Sequence, residues 1–455
     1  MKKLQRVLAV VAVGVLIALA APLGRTSAAA SWFVATTGND ANSCTAVGTA
    51  CLTLQATINK ASSGDTINVA AGTYAVAGLV TVNKTLILLG AKATVNACGR
   101  AGAESVLSDS QGMRIAASDV VIDGFTVQDS VVAAYTGYGV WMDPSVNVTG
   151  TRVVNNIFQN NIVGIGLANK GPSQALIQHN AFTTNNQPGG AGGSGIYTDQ
   201  YVGGAVTNVL IDANCFTNNA NAGVGFSSTD TTRPDSNIEI KNNTFDQNGR
   251  GIYFYNTNAS TVHNNSITNS TVPTDGGSSV AIAAFGDVND LTILNNDLLT
   301  GAKRGIRVGS FNVNPNSDVE AHLNNIVGFA YAGLEVDPGG HVGSVNAECN
   351  WWGSNTGPTN AGNPGGTGDK VIGDGDFTPW LLALAPNGAC SGGAVVPIGV
   401  GGFADVHIGS DRESGALEAD GGGSGSDAGA LLSLTGAAVL SMTAGGWYLR
   451  RRRHR

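Results

Sequence analysis

Arg307 and Glu335 occupy matching places in two successive repeats of this chain, and Asp337 follows Glu335 by two residues. If these segments are strands, alternation puts Glu335 and Asp337 on one face, about 6.7 Å apart. A guanidinium beside carboxylates can act as a base with its charge neutraliser, and two carboxylates at that interval touch the separation used by inverting glycosidases. The same Arg and Glu can equally form a surface ion pair that adds little to stability. Aromatic residues keep the same spacing. One outward column reads Trp141, Gly166, Tyr197, Gly225, Tyr253, Ala281, Arg307 and Glu335, with Ala281 placed by analogy. Two residues further on it reads Asp143, Ala168, Asp199, Ser227, Tyr255, Ala283, Gly309 and Asp337. Aromatics on alternate rungs lie about 9.6 Å apart, an interval comparable with a disaccharide, and the glycines between them would leave the rings open for stacking. Trp141, Tyr197, Tyr253, Tyr255, Asp143 and Asp199 are therefore the expected glycan-contacting residues. Aromatics also suit strand surfaces with no further role.

These columns exist only if the repeat is a solenoid. Down the chain run VVNNIF, IQHNAF, IDANCF, IKNNTF, VHNNSI, ILNNDL, HLNNIV and AECNWW. They align Asn156, Asn180, Asn214, Asn243, Asn265, Asn296, Asn325 and Asn350, at intervals of 22 to 34 residues. A Gly followed by Ile, Val or Leu recurs downstream, from Gly139-Val140 to Gly333-Leu334, and is missing only in the coil that begins at Asn265. Short Val-, Ile- and Phe-rich runs of fixed length between loops of variable length predict a parallel β-solenoid. Identical residues would then stack about 4.8 Å apart, and the Asn column would be a buried amide ladder.

Composition agrees. The chain has 64 Gly and 43 Asn in 455 residues and only 12% charged residues, too few for the solvent faces of a helical protein. The two ends hold nine of the 24 Lys and Arg and none of the 32 Asp and Glu, which leaves the central part at −17. Such a surface repels phosphate backbones and excludes a general nucleic-acid partner. Lys2, Lys3 and Arg6 precede the apolar run 7–21 and the small residues Ala28-Ala29-Ala30, the layout of a signal peptide. Residues 428–449 are free of charge and long enough to span a bilayer, and Arg450–Arg453 with Arg455 place the far end in the cytoplasm. This tail is similar to bacterial surface-sorting signals, without an LPxTG-type motif. The expected organisation is a signal peptide at 1–30, an N-terminal cap at 31–64, β-helix repeats at 65–350 and a closing cap at 351–390. A Gly-rich linker at 391–427, a membrane anchor at 428–449 and a basic tail at 450–455 follow.

The opening SWFVATTGNDANSCTAVGTACLTLQATINKASSGDTINVAAGTY resembles the start of right-handed parallel β-helix proteins of the pectate-lyase-like superfamily. NWWGSNTGP with GDFTPWL resembles their closing segment, and the likeness covers roughly residues 32–386. It implies an all-β fold with a capping helix over residues 52–61 and with Trp351, Trp352 and Trp380 packed over the opposite end. The superfamily holds polysaccharide lyases, polygalacturonase-like glycosidases and pectin methylesterases, so the fold leaves activity open. The glycosidase strings NTD, DD, GHG and RIK do not occur. A lyase would need an Arg or Lys base beside a neutralised uronate, a role open to Arg307 with Glu335 and Asp337, or to loop residues of the insertions at 183–194 and 268–279.

Cysteines fit an exported protein. Cys44 and Cys51 are expected to pair, Cys349 and Cys390 form a second possible pair, and Cys98 and Cys215 show no evident partner; Cys215 reads as a buried small apolar residue. No CxxC spacing suggests a metal site. Asp369, Asp374 and Asp376 could supply oxygen ligands to Ca²⁺, but Asp beside Gly is also ordinary turn chemistry. His179, His263 and His322 fall one, two and three residues before their Asn and so form no column. The sequence therefore reads as a monomeric, surface-anchored β-helix contacting extracellular or envelope polysaccharide. A polysaccharide lyase and a structural spacer or adhesin are the alternatives.

Overall fold

The computed structural model describes residues 29–390, apart from 76–77, 109–110, 133–136, 190, 275–276, 302 and 312–313. The expected leader (up to residue 28), linker, anchor and basic tail lie outside the described residues. Within the described residues no helix is long and apolar enough to cross a membrane. The chain winds into a right-handed parallel β-helix in which each turn passes through sheet A, then B, then C. Sheet A has 13 strands, from Ser31–Val34 to Gly375–Asp376, sheet B has ten and sheet C has 11. Pairing is parallel throughout and in register, so each inward position becomes a column. Ile122, Val153, Ile177, Ile211 and Ile240 line one wall, while Ile165, Ile196, Val224 and Ile252 line another.

The third wall explains the repeat's glycines. Phe158, Phe182, Phe216 and Phe245 stack inward from sheet B with centroids 5.1, 4.7 and 4.2 Å apart. A Cβ placed on Gly139, Gly164, Gly195 or Gly223 would come within 2.4–2.8 Å of one of these rings. Glycine fits here because the aromatic column runs beneath the start of each sheet C strand, and at Gly139, Gly164 and Gly195 the carbonyl of the next rung's glycine crowds the same place at 2.5–2.8 Å. Two rungs below Phe245, Leu298 takes the ring's place, and the glycine position holds Ala281.

The amide ladder is present at the corner from sheet A to sheet B. Each Asn Oδ1 accepts from the backbone N–H of the Asn one rung above, from Asn156–Asn180 through Asn324–Asn350, at 2.9–3.0 Å. The expected member Asn325 is not on it; Asn324 is. The residue before each ladder Asn adopts a left-handed conformation, and that place is Leu323 (φ 55°) in this coil, as it is Cys349 in the next. Asn325 instead opens the following sheet B strand opposite Asp297. A second ladder, Asn161, Asn185, Asn219 and Asn248, turns the corner from sheet B to sheet C, with side-chain bonds of 2.8–3.0 Å. It lies three residues after each stacked Phe, a period visible in the sequence that the first ladder overshadowed.

Helix α1, Leu54–Lys60, caps the first turn, with the Thr53 hydroxyl accepting from the Ala56 N–H at 3.2 Å. Trp352 is fully buried at the other end, and Trp380 packs on Phe377 at 6.4 Å. Cys44–Cys51 and Cys349–Cys390 are disulfides, and Cys98–Cys215 is a third. Cys215 is thus not a filler. It points outward from sheet B and receives a strap, residues 91–104, whose Arg100 pairs with Glu104 and donates to the carbonyl of Asn155.

Candidate functional site

The residues with possible chemistry share the outer face of sheet C. The register places Trp141, Gly166, Tyr197, Gly225, Tyr253, Ala283, Arg307 and Glu335 in one outward column. Ala283, not Ala281, belongs in this series; Ala281 stands at the glycine place, so the analogy was two residues short. By the same shift Phe285, not Ala283, follows Tyr255 in the second column, their rings 5.9 Å apart.

The expected open stacking face is absent at its centre. Tyr197, Tyr253 and Tyr255 are 1%, 0% and 4% exposed. The glycines between the rings do not open them to solvent; they let the rings lie flat on the neighbouring backbone. A Cβ on Gly225 would come 2.1 Å from the Tyr253 ring, and one on Gly166 would meet the Tyr138 ring at 2.4 Å. Outward from the helix axis is therefore not outward to water here. Trp141 is half-buried, with its Nε1 donating to the Val202 carbonyl at 3.3 Å and the Arg114 guanidinium 6.0 Å from its ring. Asp143 is buried against Arg114 and accepts from the Ser145 N–H at 2.8 Å. Burial alone would raise its carboxyl, but the bonds from Ser145 and the Arg114 charge hold it below the usual range. Asp199 accepts from the Tyr197 hydroxyl at 3.0 Å and from the Tyr201 and Val202 N–H groups at 2.7 Å each. Its burial outweighs these donors and pushes the carboxyl up.

The charged trio is assembled, but not as a free base with a neutraliser. Glu335 is buried between two guanidiniums, Arg304 and Arg307, with Arg307 Nε 3.2 Å from Glu335 Oε2. Arg307 also donates to Asp337 at 2.8 Å and lies over the Phe311 ring at 4.9 Å. Arg304, just before the repeat glycine, stacks on Tyr331 at 4.5 Å. Two cations and two carboxylates are thus spent on one another, and glycosidase-like use of Glu335 with Asp337 would first have to break both bridges. Sequence reasoning missed Arg304 because it followed only the residues after the glycine.

Two further groups were not foreseen. Asp235 is fully buried at the corner from sheet C to sheet A, with Oδ1 accepting from the Val206 N–H at 2.7 Å and Oδ2 without a hydrogen-bond partner. Burial, then repulsion from Asp199, pushes this carboxyl well above its usual range. His263 and His322 do form a column, two rungs apart with Leu294 between them. The misplaced Asn325 had hidden this, since both histidines precede their true ladder Asn by two residues. They are tied to separate partners: His263 to Glu239 at 3.0 Å and His322 to the Glu348 carbonyl at 3.0 Å.

Asp369 spends its two oxygens on the Gly328 and Phe329 N–H groups, while Asp374 accepts from Ser344 and Asp376 from the Thr378 N–H. They do not converge, and among the described residues no group of three His, Cys, Asp or Glu side chains is arranged to hold a metal. A cavity of about 340 Å³ opens at the N-terminal end, lined by Phe33, Val47, Leu89 and other residues without an ionisable side chain.

The family described as the right-handed β-helix region matches residues 96–298 and 231–363. Solved structures similar to this chain include a pectate lyase, at 14% identity over 68% of this chain and 75% of that one, with a TM-score of 0.38. The A-module of a mannuronan C-5 epimerase from Azotobacter vinelandii is 12% identical over 73% and 93%, with a TM-score of 0.42. A tailspike protein is 14% identical over 76% and 60%, with a TM-score of 0.40. No curated protein sequence matches.

Proposed function

The chain belongs to the right-handed β-helix family, and on that premise we propose that it is an exported, surface-tethered rod that acts as a spacer or adhesin stalk without cleaving polysaccharide. The observation that carries this reading is the mutual consumption of Arg304, Arg307, Glu335 and Asp337 in one ion-pair network, beside buried tyrosines. A lyase base must be free to take a proton, and a stacking face must be wet. Export and tethering rest on the basic residues and apolar run at 2–21 and on the apolar segment 428–449 with its Arg-rich end.

A second reading, contact with extracellular polysaccharide, is favoured by one edge of the same face. Tyr201 is 51% exposed beside Val202, whose carbonyl holds Trp141, and Arg114 and Lys170 lie on the adjoining rungs. Single exposed aromatics are common, so this edge ranks second. Both readings meet in one assay: the purified protein with uronate and neutral polysaccharides, with and without Ca²⁺, read by ultraviolet absorbance of unsaturated ends and by pull-down. Neither signal is expected. New absorbance that disappears in Arg307→Ala overturns the rod. Binding lost in Tyr201→Ala, with no new absorbance, replaces the spacer by the glycan contact.

A further inference from the structure

Asp65 is a buried carboxylate, 6% exposed, that makes no ion pair with any described residue. Its Oδ1 accepts from the backbone N of Ala30 at 2.8 Å, and its Oδ2 accepts from Trp32 Nε1 and the Ser62 N–H at 2.8 Å each. Burial would raise this carboxyl, but the three donors, with a contribution from the Lys84 charge, hold it below the usual range, so the group is ionised. Lys84 is spent elsewhere, its Nζ donating to the carbonyls of Ile58, Asn59 and Ala61 at the end of α1. A buried carboxylate whose hydrogen bonds all come from neutral donors, with its nearest cation acting only from a distance, is stabilised when a cation joins it directly.

Ala30 is where that cation can arise. Its carbonyl already accepts from the Thr66 N–H at 2.9 Å, one residue before the Ser31–Val34 strand pairs with Thr66–Val69, so Ala30 is a working part of sheet A. The residues before it, Ser27-Ala28-Ala29, have small side chains at the places a signal peptidase reads. We infer that the leader is cut between Ala29 and Ala30, and that the new α-ammonium of Ala30 closes a buried ion pair with Asp65. Hydrolysis of this peptide bond leaves a carboxylate on Ala29 and an amine on Ala30 that is protonated at neutral pH, in the place now held by the amide N–H. Cutting one residue later would remove both the sheet bond from Thr66 and the Asp65 partner. Processing would thus finish the first rung, which deepens the export reading and rests on it.

Two measurements test this. The full chain expressed with its own leader is recovered from the cell surface and its N-terminus sequenced. A start at Ala30 is expected, and a start at Ala28, Ala29, Ser31 or beyond overturns the assigned cut. In the second, residues 30–455 are released from an N-terminal fusion by a site-specific protease, in detergent, and the α-amine is acylated at pH 7. An amine held as ammonium reacts roughly tenfold more slowly for each pK unit gained. Asp65→Asn keeps the size and shape of the side chain, so the comparison separates charge from steric cover. The wild-type amine should label at least about tenfold more slowly than in Asp65→Asn. Should that variant not fold, a wild-type chain with two extra residues before Ala30 replaces it, and its displaced amine should label at the ordinary rate. Equal rates overturn the ion pair. An uncut leader in the first measurement counts against export itself, while the acylation arm still decides the pairing.

Discussion

Replacing Asp235 by Asn should stabilise the protein, and the gain should grow with pH. Asp235 stands in the same register position as Asn316, which bonds at the same corner: each Oδ1 accepts from the N–H of the rung above, Val206 for Asp235 and Val288 for Asn316. Asn316 goes on to donate its amide to the Gly309 and Gly340 carbonyls at 2.7 and 2.6 Å. Asp235 leaves its second oxygen without a partner, and its carboxyl is pushed well above the usual range by burial and then by Asp199. The sign follows from proton counting. The folded state keeps a proton that the unfolded chain releases near pH 4, so this group's contribution falls as pH rises toward its folded titration. Within that window one group costs about 1.4 kcal/mol per pH unit. Asn carries no such proton. The stability difference between Asp235→Asn and wild type, from urea titrations at pH 3 to 7, should be smallest at pH 3 and climb above pH 4 by about 1.4 kcal/mol per unit until the folded carboxyl titrates. Asp199, Glu348 and Asp369 also have raised carboxyls, but they are present in both proteins and largely cancel. A difference that stays flat from pH 3 to 7 would refute the reasoning.

Asn214→Leu should cost about 1–3 kcal/mol for each buried group it orphans, the Asn180 N–H above and the Ile177 carbonyl among them, as read by urea unfolding. Gly223→Ala should cost about 1–3 kcal/mol through overpacking against Phe245, and adding Phe245→Leu should recover part of it in a double-mutant cycle. Cys98→Ser with Cys215→Ser opens a cross-link spanning 117 residues and should cost about 4–5 kcal/mol on the chain-entropy account, measured by thermal unfolding against the wild type. A loss no larger than that from opening Cys44–Cys51, seven residues apart, would show that loop entropy is not what the strap supplies.

The solenoid was legible because its two signatures report local backbone demands. The ladder Asn follows a left-handed residue at every rung, and the glycine faces a packed ring. The ladder slipped at Asn324-Asn325, where two adjacent amides offered the same string and only the conformation of Leu323 separates them. That single-residue shift also concealed the column of His263 and His322. At the candidate site, alternation placed Trp141, Tyr197, Tyr253, Arg307 and Glu335 in the right column, since it depends on strand parity alone. It could not say whether the column meets water, because burial there depends on how a ring from one rung lies across the glycine of another. Cys98 and Cys215 were out of reach for a similar reason: their meeting depends on the path of residues 91–104 across four rungs of sheet B.

That path also limits how the rod can change length. A solenoid grows or shrinks by whole turns, because each added rung meets copies of the same neighbours. The strap rejoins the body at Ser105–Ser108 and is anchored at Cys215, four sheet B steps below, about 19 Å at the usual strand spacing. A turn duplicated between those points would carry Cys215 out of the strap's reach, whereas one duplicated after Cys215 would leave it untouched. The molecule therefore has a ruler-like upper section of fixed gauge and a lower section free to be extended, and tandem duplications should accumulate only in the lower one.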